Sequence, residues 1–209
     1  MTRKQIVDAL IAEQGKLYSE EMGANIARDT PQELFHWLIG SIMLSARIGS
    51  ELAVQGCAAL RDADLHKIDR ILEADRTEIV RCLNENGYAR YDESTADYII
   101  DTARMVRDAY GDDLRRMREE NPRQAVQKAK GLGPTGAGIF AREVQLVWDE
   151  FLPEVGKPAQ QEASELGLPE DGQALLDLAG DRERFVRLVA ALTRAKLEGP
   201  ADKVKEAAA

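Results

Sequence analysis

The stretch Lys128-Ala-Lys-Gly-Leu-Gly-Pro-Thr-Gly-Ala137 joins two segments of helical period through a Gly-x-Gly turn. Gly131 and Gly133 are expected to supply positive φ and to bare the backbone just where the second helix begins. The first amides of a helix have no carbonyl of their own helix to bond, and the helix dipole adds partial positive charge there. Such a cradle suits an anion, and a nucleic-acid phosphate is the usual one. Local charge agrees. Between Asn121 and Arg142 the ionic side chains are Arg123, Lys128, Lys130 and Arg142, with no Asp or Glu among them. The whole chain carries -9, so this segment's +4 leaves -13 on the rest. The glycines alone also fit an ordinary tight turn between two helices with solvated lysines.

On either side of the turn almost every segment has helical period, and no β-branched alternation survives, so the fold class is all-α. Thr30-Pro31-Gln32-Glu33 places an N-cap, a proline at the first helical position and a glutamate able to complete a capping box. The helix that follows carries Leu34, Phe35, Leu38, Ile39, Ile42 and Met43, widened by Trp37 and Leu44, and must be buried nearly all round. Further helices are expected at about 51–60, 65–72, 76–84 and 94–110, with a short one near Arg115. Others are expected at 122–130, 135–149, 159–166, 173–178 and 182–197. Gly111 closes the long 94–110 helix, and Asn121-Pro122 starts the one before the turn. The tail from Glu198 lacks an apolar stripe and is expected to fray.

With 209 residues the chain is long enough for one large domain or two small ones, and 44% hydrophobic with 31% charged residues is a globular balance. A pI near 4.9 argues against a protein wrapped in polyanion over its whole surface. Cys57 and Cys82 are the only cysteines, too few for a disulfide framework, a four-cysteine zinc site or a four-cysteine iron-sulfur cluster from this chain alone. No cofactor is expected. The longest apolar run, 34–46, is interrupted by His36 and Ser41 and is too short to span a bilayer. No export signal is readable at the start, so a cytoplasmic protein that avoids membranes is expected. His36 and His66 have no partner at metal spacing, and Trp37 and Trp148 read as core.

Gly131-Leu-Gly-Pro-Thr-Gly-Ala137 resembles the hairpin of the helix-hairpin-helix (HhH-GPD) DNA glycosylase superfamily, which includes endonuclease III and the bacterial alkyladenine glycosylases. Ile42-Met-Leu-Ser-Ala-Arg47 is similar to the Leu-Ser-Ala-Gln-like end of the family's first core helix. Leu83-Asn-Glu-Asn-Gly-Tyr88, followed by Ser94-Thr-Ala-Asp-Tyr-Ile-Ile100, resembles its Gly-Tyr turn and next helix. Leu152-Pro-Glu-Val155 and Leu166-Gly-Leu-Pro169 bracket the place of its catalytic aspartate. The matches run in order from Thr30 to Pro169. The resemblance implies two helical domains: a six-helix, hairpin-bearing domain at 30–135, and a second at 1–29 plus 136–198, leaving 199–209 as the frayed tail.

The resemblance implies base-excision repair and a DNA partner, duplex, damaged or distorted, but its chemistry transfers poorly. The family's bifunctional members carry a lysine just after the hairpin that attacks the sugar as a neutral amine. That position falls on Thr135. Active members also use an aspartate to stabilise the cationic sugar, and alignment from Leu166-Gly-Leu168 places it at Gly156, while alignment from Phe151-Leu-Pro153 gives Val155. Glu154 is the adjacent carboxylate and the one weak catalytic candidate. Arg47 stands where the family carries a residue that fills the hole left by a flipped base. The candidate DNA-binding set is Lys128, Lys130, Gly131, Leu132, Gly133, Thr135, Gly136, Arg142 and Arg47, with Tyr88, Arg90 and Tyr91 beside the expected groove. Three functions remain open: a DNA-binding protein with lost or altered cleavage chemistry; an active glycosylase or abasic-site lyase using Glu154 with Lys130 or Lys157; and a protein-interaction module on the same fold.

Overall fold

The computed structural model describes residues 2–208, all of whose regular elements are helical. Residues 1 and 209 lie outside that range. The chain opens with α1 (Arg3–Gln14), and continues through α2 (Tyr18–Glu21), α3 (Pro31–Ser45), α4 (Ser50–Asp62), α5 (Ile68–Glu73), α6 (Arg76–Glu85) and α7 (Asp92–Tyr110). Two helices, α8 (Pro122–Val126) and α9 (Pro134–Val144), flank the Gly-x-Gly turn. The last four are α10 (Lys157–Glu165), α11 (Gly172–Ala179), α12 (Arg182–Glu198) and α13 (Asp202–Ala208). They form two compact units. One comprises Tyr18–Ala141, and the other joins Met1–Leu17 to Arg142–Ala209, so the first is inserted into the second. The second unit takes over at Arg142, inside α9, where the sequence reading divides the chain at 135 and 136.

In the inserted unit α3 is the hub, packed by α4 and α7. Thr30 caps it, its hydroxyl accepting the Glu33 N–H at 3.4 Å, and Pro31 fills the first turn. Every residue from Glu33 to Met43 is buried, as the apolar pattern requires. The Glu33 carboxylate does not complete the expected capping box. It accepts the Asn25 N–H at 2.8 Å and a two-point grip from Arg61 at 3.0 and 3.1 Å. Burial alone would raise its pKa, but the Arg61 and Asn25 bonds hold it below the usual value. Trp37, fully buried, donates its Nε1–H to the Phe140 carbonyl at 3.0 Å and so ties α3 to α9.

In the other unit α12 is the hub, packed by α1, α10 and α11. Phe185, Leu188, Val189 and Leu192 are buried as expected, and Val186, Ala190 and Ala191 are buried with them, so most of the helix circumference is enclosed. Each fully buried large apolar side chain contributes about 1.5–3 kcal/mol. Thr2 and Gln5 cap α1 reciprocally.

The tail corrects the expectation of fraying. Residues 202–208 form α13, which packs on α1 through Val204 and Ala207. Gln14 bonds the Gly199 carbonyl at 3.1 Å and the Ala201 N–H at 2.9 Å, and Lys203 pairs with Glu13 at 2.6 Å. Two small apolar residues three apart make too faint a stripe to read in sequence. Among the described residues no helix is long and apolar enough to cross a membrane.

Candidate nucleic-acid interface

The helix before the hairpin ends at Val126, short of the expected 130, and α9 ends at Val144, short of 149. Between α8 and α9 the Leu132 N–H donates to the Ala129 carbonyl at 3.1 Å and the Ala137 N–H to the Gly133 carbonyl at 3.0 Å. These bonds close the turn and start α9. Among the described residues the N–H groups of Gly133, Thr135 and Gly136 donate to no protein acceptor, as the first amides of a helix must. They are the bared donors that the sequence expected.

The three glycines do different work. Gly131 sits at φ +87°, and a Cβ there would lie 2.6 Å from Cδ2 of Tyr98, so both backbone and packing demand glycine. Gly133 does not adopt the positive φ expected of it, and a Cβ added there meets nothing within 4 Å. Its contribution is open space in front of the amides. A Cβ at Gly136 would come within 2.3 Å of Leu132 Cδ2 and 2.6 Å of Ser45 Oγ. Leu132 is buried, so Leu132 and Gly136 hold the hairpin against the end of α3 rather than face a ligand.

The cations are less available than their sequence implies. Lys128 Nζ contacts the Glu120 carboxylate at 2.7 and 2.9 Å and Tyr110 OH at 3.0 Å, and lies 5.5 Å from the Tyr110 ring centre. Lys130 Nζ pairs with Asp101 at 2.7 Å, 6.0 Å from the Tyr98 ring centre. Glu120 and Asp101 respectively raise the pKa of these lysines, so both stay charged. Arg142 lies in the last turn of α9, half-buried and more than two turns beyond the hairpin, so the helix does not bring it to the amides. Arg47 is exposed just after α3 and has no ion-pair partner among the described residues.

Tyr88 is core: it is fully buried and its OH donates to the Met43 carbonyl at 3.2 Å. Arg90 is exposed and lies 5.3 Å over the Tyr91 ring. Sequence reasoning missed Tyr98, whose place under Gly131 is visible only once α7 and the hairpin are packed. It also missed that His36 and His66 meet, with ring centroids 5.4 Å apart. His36 is fully buried with Nε2 at 2.8 Å from the Met22 carbonyl, and burial lowers its pKa to about 4. Cys57 is buried beside it, which raises its thiol pKa, and Cys82 is half-buried. Among the described residues no group of three or more His, Cys, Asp or Glu could hold a metal ion.

The positions matched to catalysis lie in different units. Thr135 is exposed in the first turn of α9. Gly156 is the N-cap of α10 at φ +78°, ψ 153°, a region populated almost only by glycine. A Cβ there has space, so the obstacle to a side chain is backbone strain rather than crowding. The Gln145 side chain fixes the preceding loop, donating to the Glu154 carbonyl and accepting the Glu154 N–H, both at 2.8 Å. Gly172 lets Pro153 approach so closely that a Cβ would lie 2.5 Å from its carbonyl oxygen. These contacts oppose a register shift of Glu154, which is itself half-buried.

The all-α fold of this chain is similar to that of two solved structures and is endonuclease III-like. One is the H. pylori 3-methyladenine DNA glycosylase (MagIII) bound to 1,N6-ethenoadenine. Its TM-score is 0.59 at 14% identity, over 96% of this chain and 100% of that one. The other is endonuclease III trapped as a covalent intermediate with DNA, in an estranged-adenine complex. It has a TM-score of 0.51 at 15% identity, over 93% of this chain and 86% of that one. No protein-family pattern and no curated protein sequence matches this chain.

Proposed function

We propose that this chain is a DNA-binding protein on a base-excision glycosylase scaffold, with the cleavage chemistry lost or altered at Thr135 and Gly156. The observation that carries the binding half is the hairpin, where the amides of Gly133, Thr135 and Gly136 are bare and Gly133 leaves open space in front of them. A backbone phosphate has the charge and acceptors to fill that space. The similar structures hold DNA or a modified adenine, which supports the same class of partner here.

The loss of chemistry follows from two side chains. A threonine hydroxyl cannot form the Schiff base that a lysine amine forms. Glycine at 156 supplies no carboxylate against developing positive charge on the sugar. A loss of about 4 kcal/mol in transition-state stabilisation corresponds to roughly a thousandfold in rate. The glycine-only conformation at 156 supports this reading, because the loop is shaped for a residue without a side chain. Titration of labelled duplex, abasic-site and branched DNA, with base release followed in the same samples, tests it. Binding without release is expected; absence of binding at low salt to all three would refute it.

A further inference from the structure

Two adjoining clefts, of about 450 and about 320 Å³, run between α4, α5 and α6 of the inserted unit and share Ala63, Leu65 and Glu78. No hairpin residue lines either of them. Helical spacing makes the groove. Ala59, Asp62 and Ala63 fall on one face at the end of α4, and Glu78, Cys82 and Glu85 fall on one face of α6. The two alanines, half-buried Cys82 and buried Leu65 form a floor of small or apolar side chains between carboxylate rims.

Its charge is unlike that of the surface beside the hairpin. There the carboxylates are taken, Asp101 by Lys130, Glu120 by Lys128 and Asp97 by Arg76. In the cleft between α4 and α6, Asp62, Glu78 and Glu85 have no ion-pair partner among the described residues. Arg81, the one cation lining that cleft, is likewise unpaired, so three negative charges and one positive leave -2. In the adjoining cleft Arg70 reaches both Asp64 and Glu73, so the pull is centred on α6. The carboxylates act on one spot. Burial first, and then Glu85 and Glu78, raise the pKa of the Cys82 thiol.

Such a wall repels a phosphate backbone and attracts a cation. A lysine matches it in shape as well, its methylene stem lying on alanine while its ammonium reaches the rim. Glu78 and Glu85 stand two helical turns apart, about 10 Å along α6. A helix with lysines one and two turns apart, and small apolar residues between them, meets both carboxylates and the floor at once.

We propose that this groove docks a lysine-rich amphipathic helix of a protein partner, giving the chain a protein-binding face apart from the hairpin. The proposal does not depend on the DNA-binding reading, since the two surfaces share no residue. Exposed ion pairs are individually weak, so the attachment is reversible and salt-sensitive.

The test uses the full chain and a labelled alanine-rich helical peptide with lysines one and two turns apart, beside the same peptide with glutamates in their place. Anisotropy at low salt reads binding, and the rate of Cys82 alkylation reads its position; Cys57 is fully buried and does not compete. The lysine peptide is expected to bind and to slow alkylation at Cys82, and the glutamate peptide to do neither. Glu78→Gln combined with Glu85→Gln should weaken binding about tenfold. Glu51→Gln combined with Asp108→Asn removes the same charge from other exposed positions and should leave binding nearly unchanged. An equal loss in both double variants, binding that leaves Cys82 alkylation unchanged, or no binding of the lysine peptide would overturn the proposal. Protection of Cys82 by duplex DNA in place of the peptide would overturn it too, and would make the groove a nucleic-acid surface.

Discussion

The Lys130 ammonium and the Asp101 carboxylate lie 2.7 Å apart, joining the hairpin to α7. An incoming phosphate must compete with that carboxylate for the one lysine next to Gly131. Asp101→Asn should therefore tighten DNA binding a few-fold at low salt and steepen the log-log salt dependence by about one, because each cation freed for phosphate adds about one released counterion. With Lys128 also paired, the wild-type slope should be shallow, about -2 to -4. Anisotropy titrations from about 25 to about 200 mM salt, over which the Debye length shrinks about threefold, measure both. An unchanged slope in Asp101→Asn would place Lys130 outside the binding site.

The hairpin glycines should separate cleanly. Gly131→Ala meets both a positive φ and the Tyr98 ring, so it should cost about 1–3 kcal/mol, at roughly 2–4 °C of Tm per kcal/mol for a chain of this size. Gly133→Val meets no neighbouring atom and should leave Tm nearly unchanged while DNA affinity falls. If Gly133→Val unfolds at the same temperature and binds as the wild type does, the amides are not the phosphate site.

Gly156→Asp puts a carboxylate at the matched catalytic position but forces an L side chain into φ +78°, ψ 153°. It should lower stability by about 1–3 kcal/mol, and base release should stay at background. Thermal melts and a glycosylase assay on the same preparation decide this. A variant as stable as the wild type that releases bases would show that only the missing carboxylate stands between this chain and activity.

Acid should weaken the inserted unit before the usual carboxylate range. His36 is neutral in the fold because burial lowers its pKa from 6.5 to about 4, and burial lowers His66 as well. Between those pH values the unfolded chain binds the extra proton. Stability is therefore full above about pH 6.5 and declines as pH falls toward 4, by about 3 kcal/mol for His36. The urea midpoint measured at pH 7 and pH 4.5 should fall for the wild type and fall less for His36→Gln. Equal falls in the two proteins would show that His36 is not the responsible group.

The helix starts were legible because they are local. Thr30-Pro31 and Asn121-Pro122 cap and open α3 and α8 as their spacing predicts. The hairpin was legible for the same reason, since Gly131, Gly133 and the start of α9 lie within four residues. What sequence did not reveal is set by distance along the chain. Lys130 meets Asp101 from 29 residues away, and Gln32 on α3 reaches His66 from 34. An acid-free basic stretch thus read as a free cationic patch, although α7 supplies a neutralising carboxylate. The same limit hid Tyr98 beneath Gly131 and left Arg142 in the expected site, because charge counting ignores where along α9 a residue falls.

Binding without cleavage is tested on damaged duplexes. The unmodified protein, at concentrations where anisotropy shows the DNA bound, is incubated with uracil-, oxidised-, alkylated- and abasic-site duplexes, and base release and strand cleavage are followed under single-turnover conditions. Bound, intact DNA is expected at every site, with no borohydride-trapped adduct, because Thr135 offers no amine and Gly156 no carboxylate. Robust release or cleavage that disappears in Glu154→Gln would contradict it.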